Sequence, residues 1–213
     1  MDEYFYSGFY ARFDTVSKSE GSLLMGPDNI VGDDFSVVLK NHDGINKAWL
    51  VNKFNKEVGF LDVDASRKVQ LALAKDQVIR AILSFVAYTD NPDPGCYWGQ
   101  VAVFCYNPSY RQEFDRFIDN CASKISDGVR PNIDFGQQSV KNILSDSSWL
   151  PKETVPFPKK ETGFAILKDH RSISEKVIEQ GRSKNIGCYV VSWAFIILLV
   201  LLFAYFLHSI GLF

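Results

Sequence analysis

From Cys188 to Leu207 the chain reads CYVVSWAFIILLVLLFAYFL, twenty residues without a charge. An α-helix rises about 1.5 Å per residue, so this run matches the roughly 30 Å hydrocarbon core of a bilayer. A helix of a soluble domain normally shows a polar stripe, whereas this one is apolar all round. The sequence therefore predicts a transmembrane helix over 188–207, with Leu198 and Leu201 in its interior. Tyr189, Trp193 and Tyr205 lie towards its ends, where amphipathic rings favour the headgroups. Lys168, Arg171, Lys176, Arg182 and Lys184 all precede it, and only His208 to Phe213 follow. Cationic residues are retained on the cytoplasmic side, so a cytoplasmic body is expected, with 208–213 as a short extracytoplasmic tail. Met1-Asp2-Glu3-Tyr4 shows neither a basic n-region nor an apolar h-region, which argues against a secretory signal and for a single-pass tail anchor. No acid or base interrupts the span, so it offers no proton or ion path.

The net charge of −2 falls entirely outside the span. With a pI near 5.9 the body lacks the electrostatic footprint of a phosphate-backbone binder. Cys96, Cys105, Cys121 and Cys188 fit no zinc spacing and stand near no histidine, so neither metal nor cofactor is expected. Cytoplasmic thiols are reduced and mostly buried as small apolar groups. Cys188, at the membrane boundary, is open to two readings: a palmitoylation site, or the plain first residue of the span.

Residues 1–148 read as one α+β domain, a small antiparallel β-barrel or sheet with packed helices. The aromatic segment 3–13 suggests a strand, or a strand pair broken near Gly8. Phe35 to Leu39 follows as a strand, and 47–51 with 57–61 as a hairpin around Asn52–Lys56. Asp64 is the expected cap of a helix burying Val69, Ala72 and Leu73. Over 78–88 a period of two puts Ile79, Ala81, Leu83, Phe85 and Ala87 on one face, with 97–106 returning antiparallel. Asn107-Pro108 starts a helix with Phe114, Phe117, Ile118, Cys121 and Ile125 inward, ending near Gly128. A further helix spans about 136–145. Pro151, Pro156 and Pro158 mark 149–171 as an extended linker. Ser172 and Glu175 form a capping box that opens a juxtamembrane helix within 172–187. With Arg171, Lys176, Arg182 and Lys184 around it, that helix either rests on anionic headgroups or stays solvated.

Val37-Val38-Leu39, then Asp43 and Asn46 before Ala48-Trp49-Leu50-Val51, then Val58-Gly59-Phe60-Leu61, give a pattern that resembles HIRAN domains. The likeness runs from about residue 35 to 106. It implies a small β-barrel that recognises single-stranded DNA ends, with Asp43, Asn46 and Trp49 in the pocket. From the residues themselves, Tyr97 and Trp98 after the rigid loop Asp90–Gly95 are the other candidate recognition surface, since aromatic rings beside a stiff loop supply contact area at low entropy cost.

Catalytic signatures are missing: no phosphate loop, nucleophile elbow or HExxH occurs. Within the body only His42 could pair with a cysteine. The expectation is a non-catalytic protein-binding or scaffolding module held at a membrane. Recognition of nucleic-acid ends is the alternative, disfavoured by the acidic pI, and a membrane-tethered enzyme is the third possibility.

Overall fold

The computed structural model describes residues 6–42, 44–91, 93–146, 148–159, 162–182 and 193–202. It comprises two compact units, Met1–Arg171 and Ser172–Phe213. In the first, aromatic and β-branched segments become seven antiparallel strands: β1 (Tyr6–Asp14), β2 (Asp34–His42), β3 (Ile45–Val51), β4 (Glu57–Leu61), β5 (Val78–Thr89), β6 (Cys96–Tyr106) and β7 (Phe164–Lys168). They form one sheet in the order β2-β3-β4-β1-β6-β5-β7. Two further pairs, Asp34↔Ile82 and Phe35↔Ala81, bring β2 back against β5. Around the sheet lie α1 (Lys18–Ser22), α2 (Val63–Leu73), α3 (Arg111–Ser126) and α4 (Gln137–Ser145). The α+β class is as expected.

Both faces of the β1–β6–β5 part of the sheet are covered. On β6, Val101, Val103 and Cys105 join Phe13, Phe35 and Leu50 in one core, while Ala102, Phe104 and Tyr106 join Phe114, Phe117 and Ile118 of α3 in another. That alternation is the pleat itself. Burying this much aromatic and aliphatic surface, at about 25 cal/mol per Å², is the main favourable term in folding.

Local rules account for several elements. Asn52, itself buried, organises the β3–β4 turn: its Oδ1 accepts from the amides of Phe54 and Lys56, both at 3.0 Å, and its Nδ2 donates to Asn29 at 3.0 Å. The cap of α2 is Asp62, whose carboxylate accepts from Ala65 N at 2.8 Å, and not Asp64. Asp64 falls in the first turn, where its charge still suits the helix dipole. Val69 and Ala72 are buried as expected, but Leu73 at the end of the helix is exposed. Asn107 caps the short turn Pro108–Tyr110 that leads into α3, and Gly128 closes that helix at φ +82, a conformation that favours glycine.

Three expectations give way. Gly8 does not break β1, which runs unbroken; glycine is needed there because a Cβ would collide with the Tyr6 ring and the Ile133 carbonyl. The five-residue face on β5 is split by a bulge at Ser84. Ala81 and Leu83 point to the inner core, whereas Phe85 and Ala87 turn to the opposite side beneath Trp98. One extra residue exchanges the two faces of every residue after it. Finally, the expected linker is laid along the body. Thr154 bridges to Pro131, Phe157 meets Phe85 edge-on at 5.8 Å, and β7 pairs with the second half of β5.

Arg130 fastens that arm. Its guanidinium is buried yet meets no carboxylate among the described residues. Nε donates to Ser84 Oγ at 3.1 Å, Nη1 to the Pro156 carbonyl at 2.5 Å and Nη2 to Gln100 Oε1. Tyr10, Phe157 and Phe85 stack around it, at 4.3, 5.1 and 5.5 Å. Hydrogen bonds from a charged donor and cation–π contacts offset the desolvation.

In the second unit, α5 (Ile173–Arg182) opens with the expected capping box: Glu175 N donates to Ser172 Oγ at 3.3 Å, and Ser172 N to the Glu175 carboxylate at 3.0 Å. A further helix, α6, covers 193–202. Among the described residues no helix is long and apolar enough to cross a membrane. The remainder of the expected span, 188–192 and 203–207 with Tyr189 and Tyr205, lies outside the described residues, as does Lys184.

Replacing Arg130 by Met keeps the stem but leaves the buried Ser84 hydroxyl and two partly buried oxygens, of Gln100 and Pro156, without their donor, and should cost about 1–3 kcal/mol. Urea unfolding in detergent, followed by tryptophan fluorescence, checks this. An unchanged midpoint would remove Arg130 from its central place.

Candidate functional site

The two sets of recognition residues, far apart in sequence, fall on one row of the sheet. Trp49 on β3 is the Cα partner of Phe60 on β4, Phe60 of Asp14 on β1, and Asp14 of Trp98 on β6. Three inter-strand steps separate the two tryptophans, about 14 Å along the hydrogen-bonding direction. The neighbours Ala48, Leu50 and Phe13 point into the inner core, so the row faces the other way.

A cation lies over each ring of this row. Lys40 is 6.0 Å from the Trp49 ring, Lys47 is 4.0 Å from Phe60, and Arg12 is 4.2 Å from Trp98. Two of these cations also hold carboxylates, Lys40 with Glu57 and Arg12 with Asp14 at 2.9 Å. The row is thus a band of alternating charge laid over aromatic faces, locally close to neutral.

The tryptophans themselves are mostly covered, each only 7% exposed. Trp98 stacks on Phe164 at 5.3 Å, and its Nε1 donates to Thr89 Oγ1 at 2.8 Å. Trp49 packs on Phe60 at 5.2 Å. Tyr97 points to the inner side, half-buried against Tyr88 at 5.0 Å, and is not part of the row. Asn46 is exposed and pairs with Asn41; Asp43 lies outside the described residues. What a partner can touch directly is therefore Arg12, Lys40 and Lys47, which sequence reasoning missed. Their only sequence signal is a basic residue two positions from an aromatic one on a neighbouring strand or its own.

A second polar cluster lies where β2 and β5 meet. Arg80 pairs with Asp34 at 2.6 Å, Asp119 at 2.9 Å and Asp115 at 3.4 Å, and Tyr106 donates to Asp115 at 2.6 Å. Arg171, expected beside the membrane, is held by the body: its Nε donates to the Val31 carbonyl at 2.6 Å. Both arginines line an open cavity of about 260 Å³ with Gly32, Ser123 and Ser126. Burial raises the Asp34 pKa against the pull of Arg80. The carboxylates of Asp33, Asp34, Asp115 and Asp119 outnumber the guanidiniums of Arg80, Arg111 and Arg171, so the cluster is a structural ion-pair network and no ready anion site.

The buried thiols are poor nucleophiles, because burial pushes Cys105 up to about 12 and raises Cys121 strongly as well. The side chain of His42 lies outside the described residues, and among those described no three metal-binding side chains converge. In the unfolded chain a thiol titrates near 9.0, so between about pH 9 and pH 12 the unfolded state loses protons that the folded state keeps. Stability falls with rising pH across that window, by up to about 1.4 kcal/mol per unit for each such group. Urea midpoints at pH 8 and pH 11 test this: Cys105→Ala should lessen the decline, and a flat profile would refute it. Comparison with family models, with curated proteins and with solved structures finds no match, so the row and its cations stand on their own geometry.

Proposed function

We propose that the chain is a single-pass, tail-anchored membrane protein. Its cytoplasmic body is a non-catalytic module that docks another protein on the Trp49–Phe60–Asp14–Trp98 row. The observation that carries the anchor is α6: from Phe195 to Leu202 each residue is 50–64% exposed and apolar. Ten residues reach about 15 Å, half the hydrocarbon core, and the uncharged sequence around them supplies the rest of its length. So much exposed aliphatic surface on a helix is stable where lipid is the solvent.

Alternating charge over aromatic rings suits a protein surface of mixed charge, since paired ions at a rim set register and partner choice more than affinity. The return of β2 onto β5 favours reading the sheet as a small barrel, in keeping with the HIRAN resemblance. The same row supports a second reading: cations over aromatic rings are the materials of a single-strand binding groove. The cover over both tryptophans leaves few open stacking faces, which places this reading second.

Two experiments test these statements. Full-length protein should stay with membranes through alkaline carbonate washing, and Leu198→Arg with Leu201→Arg should release it; a native chain found in the supernatant would sink the anchor. Affinity capture of the full-length chain from detergent-solubilised membranes should recover a specific protein in 0.5 M salt, with recovery cut about tenfold by Lys47→Glu with Arg12→Glu. If these charges instead abolish salt-sensitive binding of a single-stranded oligonucleotide, the second reading replaces the first.

A further inference from the structure

Helix α5 exposes its apolar side. Ile173 is 85% and Val177 62% exposed, and at i and i+4 they form one stripe. The acidic residues of the helix are turned to other uses. The Glu175 carboxylate closes the capping box on Ser172, and Glu179 pairs with Arg182 at 3.6 Å. At about 100° per residue, Glu175 and Glu179 both fall on the side opposite Ile173 and Val177. The charge that borders the stripe is Lys176, one turn from Ile173 and adjacent to Val177. Two aliphatic side chains beside one lysine, with the carboxylates facing away, make a surface suited to an anionic apolar boundary.

From this pattern we propose that α5 lies in the headgroup layer of an anionic leaflet, with Ile173 and Val177 entering the acyl boundary and Lys176 on lipid phosphate. The inference rests on the membrane anchor proposed above. Positions 183–192 lie between the described parts of α5 and α6, and ten residues of chain in any conformation span at most about 35 Å. Once the anchor is inserted, α5 is therefore confined near the bilayer surface, and the second contact loses little further freedom. Embedding α5 would add a second attachment point.

The test uses the full-length chain reconstituted in vesicles of neutral phosphatidylcholine, or of the same lipid with 30% phosphatidylserine. Hydrogen–deuterium exchange is followed by mass spectrometry over 173–182, with α4 as an internal reference. Exchange in α5 should slow about fivefold in the anionic vesicles, the effect expected of one cation at such a surface, while α4 stays unchanged. Lys176→Glu should abolish the dependence on lipid charge, and Val177→Asp should abolish protection in both vesicle types. Both positions are exposed, and circular dichroism of each variant checks that the helices are kept. Equal α5 exchange in the two vesicle types, from a chain that floats with them and resists carbonate, overturns this inference and leaves the anchor standing. A chain that carbonate releases overturns both.

Discussion

A cation buried without a counter-ion among the described residues ties the body together. Arg130 reaches an interior where isolated charge is costly, and it is tolerated because neutral oxygens and aromatic faces surround it. Desolvation lowers its pKa, yet an arginine starts so high that it stays protonated. Each partner belongs to a different part of the chain: Ser84 to the bulge of β5, Gln100 to β6, Pro156 to the arm. The bulge, the hairpin and the arm are thereby made mutually dependent. Ser84 also shows why the bulge is there, since the residue that breaks the register is the one that supplies the hydroxyl.

That dependence explains where the sequence could be read and where it could not. Short-range signals were plain. Asn107-Pro108, the Ser172–Glu175 box, the stripe on α3 and the β5–β6 hairpin all rest on residues fewer than about a dozen positions apart, and each is present. The break in alternation at Ser84 was hidden, because Phe85 and Ala87 are apolar whichever face they occupy. The arm was hidden for a related reason. Its prolines and lysines carry the composition of a linker, and only the lone Phe157 and the two-residue alternation of Phe164 and Ile166, too short to stand out, disclose that it packs.

The candidate site divides in the same way. Trp98 could be picked out as an aromatic residue beside a stiff loop and Trp49 by resemblance, but nothing local says that they share a row. That relation needs β4 and β1 between them, and it emerges only from the pairing order of the whole sheet. The cations over the rings were equally out of reach, because Arg12 and Trp98 are brought together by long-range pairing. Resemblance supplied Asn46 and Trp49 as a pair, yet the former is exposed and the latter covered.

The covalent route out of the body passes through β7 and then Arg171, and this has a mechanical side. Tension arriving along the tail meets first the Arg171 guanidinium on Val31, then a five-residue edge strand whose ladder to β5 opens from Lys168 inward, like a zip. Behind that strand stands Arg130, clamped on Pro156. A pull on the chain beyond Arg171 would thus load peripheral, re-formable bonds before the pleated centre.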